Sequence, residues 1–295
     1  MKKISFLLAV AFSTSGAFSQ DLTSKKGEPI LPEANDWAIG IEANPFLNYL
    51  GNALNSSTSN SAPSWNFLSS DRTIVGKLFK DEKTAYRAIL RIGINSVKTV
   101  AAINDASNTT GTYPTVIPKK EDSWKHSESR IGLGAGMEMR RGKTRLQGFY
   151  GADALLWMSS LKDKLTYGNP ITSTSPVDTI SNTTSFGGGS NITNDTYGNR
   201  ARVLTYSGGS TIGVGVRVFI GAEYFILPKI SISGDFGWGI GFAVTGKSSE
   251  TVESTNGSVV ATQTVTGGRS SFFSLDVNRD AFGTANGSLR VNLHF

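Results

Sequence analysis

Cysteine is missing from all 295 residues, so disulfide frameworks, thiolate nucleophiles and lipid attachment through an N-terminal cysteine are excluded. Histidine is nearly missing too. His126 and His294 are the only two, which poorly supplies a two-histidine metal site or a protease-like Asp–His pairing. No metal or cofactor is expected. Past the N-terminus no run approaches the ~20 uninterrupted apolar residues that a membrane-spanning helix needs. Charge of one sign is also lacking in any block. The net charge of +6 is spread along the chain and includes Lys2 and Lys3, which reads as solvated surface attracted to lipid phosphates and not as a nucleic-acid footprint.

What is present begins with an export signal. Lys2 and Lys3 precede an apolar run from Ile4 to Phe12, and Ala17-Phe18-Ser19 offers small residues where a signal peptidase cuts. Residues 1–19 are expected to be removed. Residues 20–35, polar and carrying Pro29 and Pro32, read as a flexible tail, and 36–295 as one folded unit.

That unit shows a period of two. Ile230, Ile232, Gly234, Phe236, Trp238, Ile240, Phe242 and Val244 alternate with Ser231, Ser233, Asp235, Gly237, Gly239, Gly241 and Ala243, the mark of a strand with one apolar face. Seven further segments repeat it. Trp37–Ala43 is the first strand, 71–80 the second (least clear in register), Tyr86–Asn95 the third and Ile131–Met139 the fourth. Tyr150–Leu156, Ile212–Ile226, Ile230–Val244 and Leu289–Phe295 complete the eight.

The connections alternate in length. Turns at Asp81-Glu82-Lys83-Thr84, Arg141-Gly142-Lys143 and Leu227-Pro228-Lys229 are short, whereas 51–70, 97–127, 160–210 and 246–284 are long. This alternation predicts an all-β, eight-stranded antiparallel up-and-down transmembrane β-barrel with short periplasmic turns, long extracellular loops and both termini periplasmic. Closure leaves no strand edge exposed to lipid. The soluble alternative is a lipocalin-like barrel, with the apolar face turned inward.

The polar faces hold glycine together with Glu42, Arg91, Glu138, Asp153, Arg217, Glu223, Asp235 and Arg290, a mixture that suits a narrow lumen housing long charged side chains. Asp235, Arg290 and Glu42 are expected at similar heights on neighbouring strands, as are Asp153 and Arg217. Unpaired charge there would be costly, so opposite signs should pair. Such a layer is either a structural plug or a gate on a narrow ion path, and eight strands make a barrel that its own side chains fill. Trp37, Tyr86, Tyr224 and Phe295 fall near the periplasmic ends of the apolar faces, as a membrane girdle requires.

Taken with this topology, the terminal Leu293-His294-Phe295 makes the chain resemble the transmembrane barrels of the OmpA, OmpX and OmpW group over nearly its whole mature length. The resemblance implies that Leu293 and Phe295 are read by the barrel-insertion machinery. It implies outer-membrane lipid as surroundings and other outer-membrane proteins as partners. Arg290 stands where that terminal signal often has glycine, and no appended peptidoglycan-binding domain, hence no wall anchoring, is expected.

Two motifs imitate chemistry. Gly241 to Ser248 fits the phosphate-loop spacing, but its interior continues a strand and no amphipathic helix follows. His126-Ser127-Glu128-Ser129 has the residue types of an outer-membrane lipid deacylase, yet Glu stands at 128 where that pattern needs serine. No enzyme is expected. Residues 168–200, rich in Ser, Thr, Asn and Gly, read as a mobile surface tract, and Val252–Val265 as a hairpin turning at Asn256-Gly257. Phe272, Phe273, Leu275, Val277 and Phe282 are unusually apolar for a loop and either pack across the barrel mouth or bind a partner. Three functions follow: a closed barrel acting through its loops or as an accessory subunit, a narrow pore for small or hydrophobic solutes, and a lipid-modifying enzyme.

Overall fold

The computed structural model describes residues 22–24, 26–43, 49, 51–55, 73–108, 116–187, 189–275 and 287–295. Among them the chain forms fourteen strands. These are β1 (Trp37–Glu42), β2 (Ile74–Asp81), β3 (Thr84–Asn104), β4 (Lys119–Arg141), β5 (Leu146–Thr166), β6 (Ser185–Phe186) and β7 (Gly189–Ser190). The rest are β8 (Ile192–Asn194), β9 (Arg200–Leu227), β10 (Ile230–Thr245), β11 (Ser249–Thr255), β12 (Val260–Thr266), β13 (Ser270–Leu275) and β14 (Gly287–His294). Antiparallel pairings run around a ring of eight: β1, β2, β3, β4, β5, β9, β10, β14 and back to β1. Tight connections join β2 to β3, β4 to β5 and β9 to β10. The last turns at Lys229, whose φ of 70° is the left-handed conformation a two-residue connection demands.

Burial along the ring is the reverse of that in a water-soluble domain. Outward rows follow the strand register. Leu90, Leu133, Leu156, Val214 and Phe242 form one such row, each between 39% and 52% exposed. In water each half-exposed aliphatic would leave about 1 kcal/mol of transfer free energy unrealised. Trp37 stacks on Phe295 with centroids 4.3 Å apart, and Tyr86, Tyr150 and Tyr224 stand exposed near the short-turn end. The lipocalin-like alternative, with its apolar face inside, does not describe this sheet.

The longest strands depart from expectation. β3, β4, β5 and β9 contain 21, 23, 21 and 28 residues, about twice the ~9–11 that cross a bilayer. Much of 97–127 and 160–210, expected as loop, is therefore ladder. The apolar alternation ends near Ile94, but backbone hydrogen bonds need no apolar side chain to continue. Onto this extension the predicted hairpin, β11 and β12, adds beside β9, turning at residues 256–259.

Residues 167–187 and 189–199 are likewise not the mobile tract their composition suggests. Asp122 accepts the amides of Gly168 (2.8 Å) and Thr183 (2.6 Å), and the Asn169 side-chain amide donates to the carbonyls of Asn104 and Ser181. Ile171 and Val177 are buried, and Leu165, Ala201, Val203 and Val252 form a small core beside Trp124, Tyr167 and Phe186. Side-chain amides here replace a regular ladder as backbone partners. At the other end, the expected flexible tail buries Ile30 and ties the amide of Asn35 to the carbonyl of Phe79.

Candidate functional site

Because side chains alternate between the two faces of a strand, each ring strand places residues on one inner face. All eight contribute to a single charge network. Glu42 (β1) lies 3.5 Å from Arg290 (β14), which bonds Asp235 (β10), which accepts from Arg217 (β9) at 2.6 Å. Arg217 reaches Asp153 (β5) at 4.0 Å, and Asp153 lies 3.3 Å from Arg87 (β3). Arg87 also meets Glu138 (β4) at 3.1 Å. Glu138 continues to Lys77 (β2) at 3.0 Å and Arg140 (β4) at 2.8 Å, and both of these reach Glu223 (β9), at 3.4 and 2.6 Å.

The five cations Lys77, Arg87, Arg140, Arg217 and Arg290 thus balance the five carboxylates Glu42, Glu138, Asp153, Glu223 and Asp235, all buried. An unpaired ion in such surroundings costs several kcal/mol, so the pairing of these ten groups with one another offsets much of their burial. Ser231 and the Asn292 amide (2.8 Å) donate to Glu223, and the His294 Nε2 lies 3.3 Å from it.

Aromatic rings fill the space between the charges. Arg87 sits 4.0 Å over Phe219, Lys77 4.9 Å over Phe149, and Arg140 5.3 Å over Phe79, close enough for cation–π attraction. The β5–β9 pair shows how they fit. Phe149 faces Gly221, Gly151 faces Phe219 and Trp157 faces Gly213, so each large ring lies over a cross-strand glycine. Three layers result. Phe79, Phe225 and His294 close the short-turn end, the charges lie above, and Val75, Ile89, Leu155, Trp157 and Ala243 pack beyond them.

The expected groupings of Glu42, Asp235 and Arg290, and of Asp153 and Arg217, are brought together. Glu138 and Glu223 join them through Lys77 and Arg140. Arg91 is buried four residues farther along β3 than Arg87. Missed from sequence were Lys77, Arg140, His294 and Asn292 as members, and every interior aromatic. Arg140 follows Glu138 at the lumen-facing spacing of two, which is the signal that could have found it.

Phe272, Phe273 and Leu275 are not in a loop. They lie on β13, alongside β10, with Phe273 opposite Phe242 and Leu275 opposite Ile240. Opposed residues share a face, so Phe273 and Leu275 join the outer apolar belt, whereas Phe272 shares the face of Ala243 and is itself exposed. Val277 and Phe282 lie outside the described residues. Leu293 is in the outer belt, and Phe295 stacks on Trp37. Contrary to expectation an Asp–His pair exists: His126 Nδ1 is 2.7 Å from Asp163, which also accepts the Trp124 indole N–H at 2.9 Å. It faces inward above the lumen, while the adjacent Ser127 and Ser129 point to the other face, next to Ser96 and Ser160. Gly241 to Thr245 is strand, and β11 follows Ser248, so the phosphate-loop spacing has no phosphate cradle behind it.

No protein-family model and no curated protein matches the chain. Among solved structures it is similar to a major outer membrane protein from Thermus thermophilus, at 10% identity and a TM-score of 0.30, covering 88% of this chain and 98% of that one. It is also similar to CarO from Acinetobacter baumannii, at 12% identity and a TM-score of 0.27, covering 90% and 98%.

Proposed function

We propose that the chain is an integral outer-membrane protein, an eight-stranded transmembrane barrel with a closed lumen, whose role is carried by its extracellular strands and loops or by its outer wall in a complex with other outer-membrane proteins. The observation that carries this reading is the inverted burial: a continuous apolar wall outside and a network of ten paired charges inside. A soluble protein rarely exposes a contiguous apolar surface of that extent. Lipid satisfies it, and the exposed Leu293 and Phe295 at the chain end fit recognition by the barrel-insertion machinery. The network supports the plug over the gate, because side-chain layers pack on both sides of it and each of its ten members has a counter-ion.

The test has two parts. Folded protein should migrate faster than boiled protein on a detergent gel and insert into vesicles. In planar bilayers it should give no steady conductance above background. Large, stable channels would reject the closed lumen and favour the narrow pore.

A further inference from the structure

The outer wall of β3, β4 and β5 changes character at one level. Ile92, Ile131 and Met158 form the last fully apolar row. Hydroxyls come next: Ser129 and Ser160 are 2.8 Å apart, and Ser96 and Ser127 3.4 Å apart one step higher. One step further, Lys98 stands directly opposite Lys125, and Lys125 directly opposite Lys164. Lys162 lies on the diagonal, opposite Ser127. Directly opposed residues in an antiparallel ladder have Cβ atoms about 5 Å apart, and like charges so placed destabilise the sheet. All four lysines are exposed, and among the described residues none has a counter-ion.

What sets the strip apart from other exposed cations is that three of its lysines stand directly opposed across the ladder. In the lumen every cation of the network has a carboxylate, and near the outer tip Lys120 meets Asp105 at 2.8 Å. The ladder continues beyond the strip to Asn104 and Lys119, so the lysines cannot move apart by fraying. Repulsion held in a continuous sheet is relieved by an anion from outside. The level suggests which one. From Ile94 to Lys98 is four residues, about 13 Å along the strand, or about 9–10 Å in height at a tilt of ~40°. The polar zone of a bilayer leaflet occupies roughly the first 5–8 Å beyond the hydrocarbon edge, within reach of a downward-leaning lysine.

We propose that Lys98, Lys125, Lys162 and Lys164 form a binding strip for the phosphate groups of outer-leaflet lipids, with the serine rows beneath offering hydroxyls to the headgroup. The proposal rests on the membrane reading above. It gives the wall facing β3, β4 and β5 a lipid partner of defined chemistry, distinct from the apolar contact made by the rest of the belt.

The full-length folded protein in zwitterionic detergent is tested with bisphosphorylated lipid A, dephosphorylated lipid A and inorganic phosphate. The wild type should bind the phosphorylated lipid about tenfold or more tightly than the dephosphorylated one. The combined Lys98→Gln, Lys125→Gln and Lys164→Gln variant should lose that preference, the corresponding triple Arg variant should keep it, and Lys83→Gln with Lys229→Gln should not matter. Removing like charges relieves repulsion, so the Gln variant should fold. Unchanged lipid preference in the folded Gln variant overturns the strip alone. Full competition by millimolar inorganic phosphate would make it a free-anion site and overturn the lipid assignment. Failure of the wild type to insert into vesicles overturns the membrane reading instead.

Discussion

Single residues in this interior act in pairs, and the pairs are of two kinds. In the charge layer the partner is an ion; in the wall it is a missing side chain. Trp157 fills the space vacated at Gly213, where an added Cβ would run into the indole ring, and its far edge extends towards Gly215 and Gly241. Gly237 likewise lies under the Arg217 guanidinium. Gly213→Ala should therefore cost about 1–3 kcal/mol, the usual penalty of overpacking. Trp157→Leu should cost stability alone but absorb the extra methyl in combination. A double-mutant cycle on urea unfolding from vesicles checks this, and strictly additive losses would show that glycine there answers to the backbone and not to the ring.

At the scale of elements, the β11–β12 hairpin is held by one turn. Asp195 accepts the amides of Tyr197 (2.9 Å) and Asn199 (2.8 Å), the Asn199 side chain (3.0 Å) and the Ser254 hydroxyl of β11 (2.7 Å). Thr196 adds two bonds to Gln263 of β12. The hydrogen bond from Asn199, followed by those from Ser254 and the two amides, holds the Asp195 carboxyl down at about 2. A carboxyl depressed on folding contributes stability above its ordinary value of 3.8 and loses it as pH falls towards 2. Amide exchange at Tyr197 and Asn199 should accelerate between these two pH values, with Asp195→Asn already fast at neutral pH. Exchange that stays flat across this window would separate the turn from the carboxylate.

Which elements were legible follows from contrast between the two faces. The strand ending in Val244 reads at once because its outward side is mostly bulky and its inward side is glycine, serine, one alanine and one aspartate. β2 reads poorly because Gly76 interrupts the outward set, and Lys77 was lost with its register. The extensions of β3 to β5 read as loops because both faces become polar there. Phe149, Phe219 and Phe225 sit on the face that should be polar, and no periodicity distinguishes a ring filling a lumen from one facing lipid. The cross-strand glycines that admit them become visible only when the register is known.

For the whole molecule, the two ends of the strand ring differ in what they carry. The tight turns at residues 82–83, 142–145 and 228–229 lie at one end with Trp37 and Phe295. The opposite end carries the extended ladders, the hairpin and the residues around Asn169. Strand pairs need only a few residues to turn back, so mass beyond that need at one rim has a use there. The proposed orientation, with the tight turns in the periplasm, rests on reading residues 1–19 as an export signal and Leu293 to Phe295 as an insertion segment. Because the chain has no cysteine, single introduced thiols report position without background. Thr184→Cys and Asn256→Cys should react with a membrane-impermeant maleimide on intact cells, while Lys83→Cys, equally exposed in the folded chain, should react only after the outer membrane is breached. Labelling of Lys83→Cys on intact cells, with the other two silent, would invert the barrel and move the lysine strip from the outer leaflet to the inner one.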